Sequence, residues 1–182
     1  MKIRQEFEKW AILPACIEQA QAMLGANIIE GAENDAPGDE MDDYTFSEGG
    51  GVAIIPVLGV IGHKLGPVAK MLGAVDALDI MAAIELAAED DEVDTIILDI
   101  DSPGGTVAGV PELAETVEAV QSSGTKKIYA YTDSQMASAA YWLAAGANGI
   151  FAAPSADVGS IGVYLPVVDT SKALAEEGVT VE

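Results

Sequence analysis

Two serines and a pair of glycines hold most of the chemistry this sequence could perform. Ser138 stands in DSQMASAAYWL (133–143), flanked by Ala137, Ala139 and Ala140. Gly104 and Gly105 close DSPGG (101–105), and Ser160 lies between Gly159 and Gly162 in GSIG. A serine where a strand-loop gives way to a helix is ordinarily an N-cap. The same position also suits a nucleophile. A helix N-terminus offers unpaired N–H groups and the positive end of a dipole, both favourable to a developing oxyanion. The three alanines leave room for a substrate backbone. Met136 and Ala140 occupy the places that glycines hold in a GxSxG elbow, so this is not that motif.

Pro103-Gly104 fits the two central positions of a type II turn. A turn alone does not call for Gly105. Two bare residues at the C-terminal end of a buried strand can present backbone N–H groups to an anion or oxyanion. In an α/β sheet ligands gather at that end. Ser160 reads as a turn serine, or as a hydroxyl that orients a nearby ammonium.

A serine nucleophile needs a base. His63 is the only histidine and sits in GVIGHKLG, where a surface loop is expected. The other base available in proteins is a lysine whose pKa burial has lowered. Lys64, Lys70, Lys126, Lys127 and Lys172 all lie in polar or glycine-flanked sequence, and each is expected to be solvated. Cys16, the single cysteine, has no basic cluster near it and reads as a small buried side chain. No spacing of His, Cys or carboxylates suggests a metal.

Elements able to position these residues follow from the apolar pattern. Residues 3–24 read as helix in two pieces, interrupted near Pro14. GAENDAPGDEMDDYTFSEGGG (31–51) is acidic and poor in core residues, and reads as a flexible linker. VAIIPVLGVI (52–61) is a nearly continuous apolar run, as for a strand covered on both faces, with Pro56 marking an edge or a bulge. Within 74–89, Leu78, Met81, Ile84 and Ala88 share one helical face. TIILDI (95–100), KIYAYT (127–132), GIFAA (149–153) and IGVYLPVV (161–168) read as strands. Helices are expected from Pro111 to about Ser122, over 138–145 and over 171–178, and VTVE opens a last strand. Strands alternating with helices give an α/β fold with parallel crossovers. The domains expected are a helical arm (1–30), the acidic linker (31–51) and a core (52–182).

The 182 residues carry 30 acids and 8 bases, a net charge of −22. That balance argues against nucleic acid, whose phosphates demand Lys and Arg, and it disfavours anionic membranes and cofactors held by several phosphates. No segment has the length of a membrane span or the form of a secretory signal. The chain therefore reads as cytoplasmic.

Taken in order, DSPGG (101–105), MASAAYWLAA (136–145) and GSIGV (159–163) resemble the signal peptide peptidase A family of serine peptidases, family S49. VAIIPVLGVI resembles that family's first core strand, and the likeness spans roughly residues 52–182. It implies a ClpP/crotonase-type fold of stacked βαβ units, a Ser–Lys dyad, no cofactor and a homo-oligomer. Carried over, Ser138 is the nucleophile, the N–H groups of Gly105 and Ser138 form the oxyanion hole, and Ser160 positions the lysine. The leader and acidic linker resemble the phage and prophage branch, whose members process scaffold or portal proteins in the prohead. The family's base lysine lies beyond the segment matching GVTVE. The expectation is a chain ending at Glu182 with nucleophile and oxyanion hole but without the base, a loss worth about 10²–10⁴-fold in rate. Two other classes share this pattern: a non-catalytic assembly component, and a crotonase-type acyl-CoA enzyme, for which the few basic residues are poorly suited.

Overall fold

The structure, a computed structural model, describes residues 10–12, 16, 45–46 and 51–164. Two short strands come first, β1 (Trp10–Ile12) and β2 (Thr45–Phe46). Then follow β3 (Gly51–Leu58), β4 (Ile61–Gly62), α1 (Pro67–Met71), β5 (Val75–Asp76), α2 (Ala77–Glu89), β6 (Val93–Asp101) and β7 (Gly104–Thr106). The remainder is α3 (Val110–Ser123), β8 (Lys127–Thr132), β9 (Gln135–Ala137), α4 (Ala139–Ala144), β10 (Gly149–Ala152) and β11 (Asp157–Gly159).

The main sheet runs β10-β8-β6-β3-β2. Its first four strands are mutually parallel, and β2 joins β3 antiparallel. Parallel neighbours require the chain to return through a crossover, which α2 and α3 supply. A second sheet, β1-β7-β4-β5, and a two-stranded ribbon, β11-β9, lie beyond the C-terminal end of the first. The α/β class expected from the alternation of elements is the class observed.

One face of the main sheet holds the core. Ala53, Ile55 and Val57 of β3, Ile96, Leu98 and Ile100 of β6, and Ile128 and Ala130 of β8 are buried in one cluster with residues of α2 and α3. Each fully buried Val, Ile or Leu of this set stabilises the fold by roughly 1.5–3 kcal/mol. On α2 the buried residues are Ala77, Ile80, Ala83, Ile84 and Ala87. Leu78, expected on the core face, is 39% exposed. It sits one position past the stripe that Asp76 fixes by capping the helix from Leu78 N–H at 3.0 Å. α3 starts with Pro111 in its first turn, as read from the sequence.

Further expectations are corrected. Residues 10–12 are a strand and not helix, because they find a partner in β7; edge pairing and the burial of Ile12 outweigh local propensity. Thr45–Phe46, inside the expected linker, pair with Ile54 and Ala53, and β3 opens already at Gly51. The run 52–61 breaks into two strands at Gly59, whose φ of 85° turns the chain. Among the described residues, β3 is covered on one face only. On the other, Ile54, Ile97, Tyr129, Tyr131 and Phe151 line an open cleft of 580 Å³ with Asp99. An apolar run records what a strand can bury and not what covers it.

Pro56 stands past the two residues that β2 pairs, where no other described strand pairs with that edge of β3, as suits its missing N–H. Residues 161–163 are not strand. The expected helix at 171–178, the last strand and Lys172 lie outside the described residues.

Candidate active site

Gly104 takes φ 97°, the left-handed value that the third position of a type II turn needs. Its N–H donates to Ser102 Oγ at 3.2 Å, which tightens the turn. Gly105 has a different reason to be glycine. A Cβ there would lie 1.7 Å from the Ile61 carbonyl oxygen, so β4 can approach β7 only if the position is bare. Sequence reasoning assigned this bareness to a ligand; the structure supplies a packing cause as well.

Backbone hydrogen bonds join this turn to the segment that carries Ser138. Ser102 N–H donates to the Gln135 carbonyl at 2.8 Å, and Ala137 N–H donates to the Ser102 carbonyl at 3.1 Å. β9 thus extends beside the end of β6 and delivers Ser138 at its tip. α4, which starts at Ala139, packs on β7. The DSPGG and MASAA motifs are neighbours in space.

Ser138 is 4% exposed and has φ 53° and ψ −111°. Those angles belong to the first central residue of a type II′ turn, where glycine is usual. A non-glycine residue held there stores of order 1–3 kcal/mol of strain, and such residues cluster at functional sites. The N-cap reading does not hold for the side chain, which caps no α4 amide. Its hydroxyl donates instead to the Gly162 carbonyl at 3.2 Å. Its N–H donates to the Gly159 carbonyl at 2.7 Å. β11 leads to this point by pairing parallel with β9, Gly159 opposite Ala137. The GSIG motif therefore folds onto Ser138 and engages both of its donors. Gly159 and Ser160 reach it with φ of 126° and 52°. Ser160 makes no side-chain hydrogen bond among the described residues.

Beside the hydroxyl lies an apolar cavity of 390 Å³, walled by Tyr141, Trp142, Ala145, Ile161 and Val163. Ile161 is 83% exposed and Val163 55%, so the wall formed by the GSIG segment stands open to solvent.

The sequence named five lysines and one histidine as conceivable bases. Lys64, Lys70 and Lys127 are exposed. Lys70 pairs with Asp79 at 2.5 Å, and half-buried Lys126 donates to the Asp90 carbonyl. Among the described residues no lysine is bonded to Ser138. His63 lies in the expected loop but is half-buried, beside Gly109, and its Nδ1 has no hydrogen-bond partner among the described residues. Cys16 is half-buried and packs against the small cluster that holds Ile12 and Val60. No group of His, Cys, Asp and Glu among the described residues could hold a metal, and no helix among them is long and apolar enough to cross a membrane.

The signal that sequence reasoning passed over is Ala139. As the first residue of α4 its N–H has no intrahelical acceptor, whereas the Ser138 N–H is already engaged. A nucleophile at a helix start always brings the next amide with it.

Residues 120–182 match the model of peptidase family S49, a span that includes both Ser138 and Ser160. Over that segment the chain is similar to the S49 family. The chain is 30% identical over 158 residues to the head-tail preconnector protein GP5 of Enterobacteria phage P21, covering 81% of the chain and 31% of that protein. It is 32% identical over 131 residues to capsid assembly protease C of Escherichia phage lambda, covering 72% of the chain and 29% of that protein. Protease 4 of Salmonella typhi is 32% identical over 90 residues, half of this chain and 14% of the relative. The chain thus spans less than a third of the length of these relatives. Among solved structures it is similar to an enoyl-CoA hydratase/isomerase family member (TM-score 0.47, 14% identity, 75% of this chain and 51% of that one). It is also similar to a point mutant of ClpP1 from Listeria monocytogenes (TM-score 0.40, 18% identity, 57% of this chain and 52% of that one).

Proposed function

We propose that this chain is the nucleophile-bearing core of a serine endopeptidase of the Ser–Lys type, acting on polypeptides during phage capsid assembly. The observation that carries the reading is the strained, nearly buried Ser138, onto which two sequence-distant motifs converge beside an apolar cavity. Attack by Ser138 Oγ on a peptide carbonyl would place the oxyanion near the start of α4 and near Gly105. Gly105 N–H is one donor once the strand edge it faces is free. Ser138 N–H is the second once the Gly159 carbonyl moves away, and Ala139 N–H is the donor that needs no such movement. The cavity walled by Trp142 and Ile161 suits an apolar side chain next to the scissile bond. Ser160 would hold the ammonium of the base lysine.

The match to the lambda and P21 proteins supports scaffold or portal components as substrates, and the prohead or host cytoplasm as the place of action. Exposed Ile161, Val163 and Tyr164 around the site support a homo-oligomer. The domains we propose are an N-terminal arm, an acidic linker and the peptidase core from about residue 52.

A second reading, a non-catalytic assembly component, draws on one observation: among the described residues the Ser138 hydroxyl bonds to a carbonyl and not to a base. Fluorophosphonate labelling of the protein as encoded by its whole gene separates the two. The peptidase reading expects a single adduct at Ser138, abolished in Ser138→Ala. Absence of the adduct in the folded protein favours the assembly component.

A further inference from the structure

β7 carries Gly105, and a strand has two hydrogen-bonding edges. β4 holds one of them, with Ile61 in register with Gly105. That edge is closed by contact, since even one added carbon on Gly105 would strike the Ile61 carbonyl. β1 holds the other edge antiparallel, with Trp10 opposite Thr106, Ala11 opposite Gly105 and Ile12 opposite Gly104. A polypeptide that aligns with Gly105 through main-chain hydrogen bonds has one place to lie, and the chain's own residues 10–12 are in it.

We propose that the outer edge of β7 is the polypeptide-binding edge, and that β1 occupies it as a built-in competitor which substrate displaces. This rests on the peptidase reading and adds to it the direction and chemistry of the substrate. Strand addition to a sheet edge draws affinity from the backbone and specificity from alternate side chains. β1 shows what the edge accepts. Ile12 is wholly buried in a small cluster with Val60, Ala69 and Ala74, against which Leu65 and Cys16 pack. This cluster is separate from the main core, so Ile12 fills a socket that its removal would open. The substrate class is therefore an extended peptide, antiparallel to β7, with an aliphatic side chain facing Gly104. A ladder of three residues is short enough to exchange without unfolding the parallel sheet.

Hydrogen exchange of the full chain, with and without a saturating extended peptide rich in valine and isoleucine, tests this directly. The expected result is exchange at residues 10–12 faster by about tenfold, while Gly104–Thr106 remain protected. Ile12→Asp places a charge in the socket and should release β1, so Ser138 should react with fluorophosphonate about tenfold faster. Unchanged protection of 10–12 with the peptide present overturns the proposal. So does a folded Ile12→Asp protein that labels no faster. If Ile12→Asp and removal of residues 2–12 both unfold the domain, β1 is core and the proposal is also wrong. If Ser138 labels in no variant the peptidase reading fails, and the exchange measurement alone decides the role of β1.

Discussion

The hydroxyl of Ser138 donates to the carbonyl of Gly162 across 3.2 Å. This contact, together with the bond from Ser138 N–H to Gly159, describes a nucleophile at rest. A hydroxyl directed at a carbonyl is not being deprotonated. For catalysis it must turn from Gly162 toward a base, and the Gly159 carbonyl must withdraw if the Ser138 N–H is to meet an oxyanion.

Substitution of Ser138 should separate activity from stability. Ser138→Ala removes the nucleophile and leaves the strained φ of 53° in place. Ser138→Gly removes both. Labelling is expected to vanish in each, and Ser138→Gly should be the more stable by about 1 kcal/mol, since glycine tolerates positive φ. Chemical denaturation of the two proteins checks this; equal midpoints would show that the backbone is unstrained.

Gly105→Ala should fail for a steric reason before any catalytic one. Its Cβ would lie 1.7 Å from the Ile61 carbonyl oxygen, so β4 and β7 must part. The expected outcome is a loss of at least about 2 kcal/mol in unfolding free energy together with loss of labelling. A stable, unlabelled Gly105→Ala protein would instead assign the glycine to ligand binding alone.

Gly159→Ala tests the strap over Ser138. Nothing lies within 4 Å of the added carbon, so only the backbone resists, at φ 126°. A cost of about 1–3 kcal/mol is expected, with the Ser138 amide freed to exchange faster. Mass-spectrometric hydrogen exchange over residues 136–142 reads both effects.

Asp99 gives the fold a pH dependence of defined sign. Burial pushes its carboxyl pKa up from 3.8, and the charges of Asp133 and Asp101 push it the same way. The folded state therefore holds this proton more tightly than the unfolded state, and ionised Asp99 destabilises the fold. The penalty is full above the raised pKa and gone below 3.8. Asp99→Asn should raise the thermal midpoint at pH 7, and its advantage should shrink as pH falls through the raised pKa. A constant difference across that range would show that the carboxylate is not the cause.

Trp142→Ala removes one wall of the cavity beside Ser138. KM for peptides with a large apolar residue at the cleavage site should rise about tenfold, because burying such a side chain stabilises binding by roughly 1.5–3 kcal/mol. Peptides with alanine there should change little.

Much of the chain was open to reading from its residues. β8 over 127–132 and Pro111 in the first turn of α3 follow from period and from the fixed φ of proline, which are local causes. The type II turn at Pro103-Gly104 is local too. The S49 motifs mark the positions that matter, because a strained serine and a left-handed glycine need particular residue types wherever they occur.

What the sequence could not determine is what each surface meets. WAI at 10–12 has no local feature that makes it a strand; it becomes one only because the edge of β7 is free to pair and a socket is there for Ile12. Gly105 owes its bareness to Ile61, a residue forty-four positions earlier in the chain. The engagement of Ser138 by Gly159 and Gly162 exists only once β11 pairs with β9. Residue type and spacing settle which groups can do chemistry, since φ, size and hydrogen-bonding capacity belong to single residues. The tertiary structure settles which of them meet and which are already occupied, because a hydrogen bond or a contact belongs to a pair.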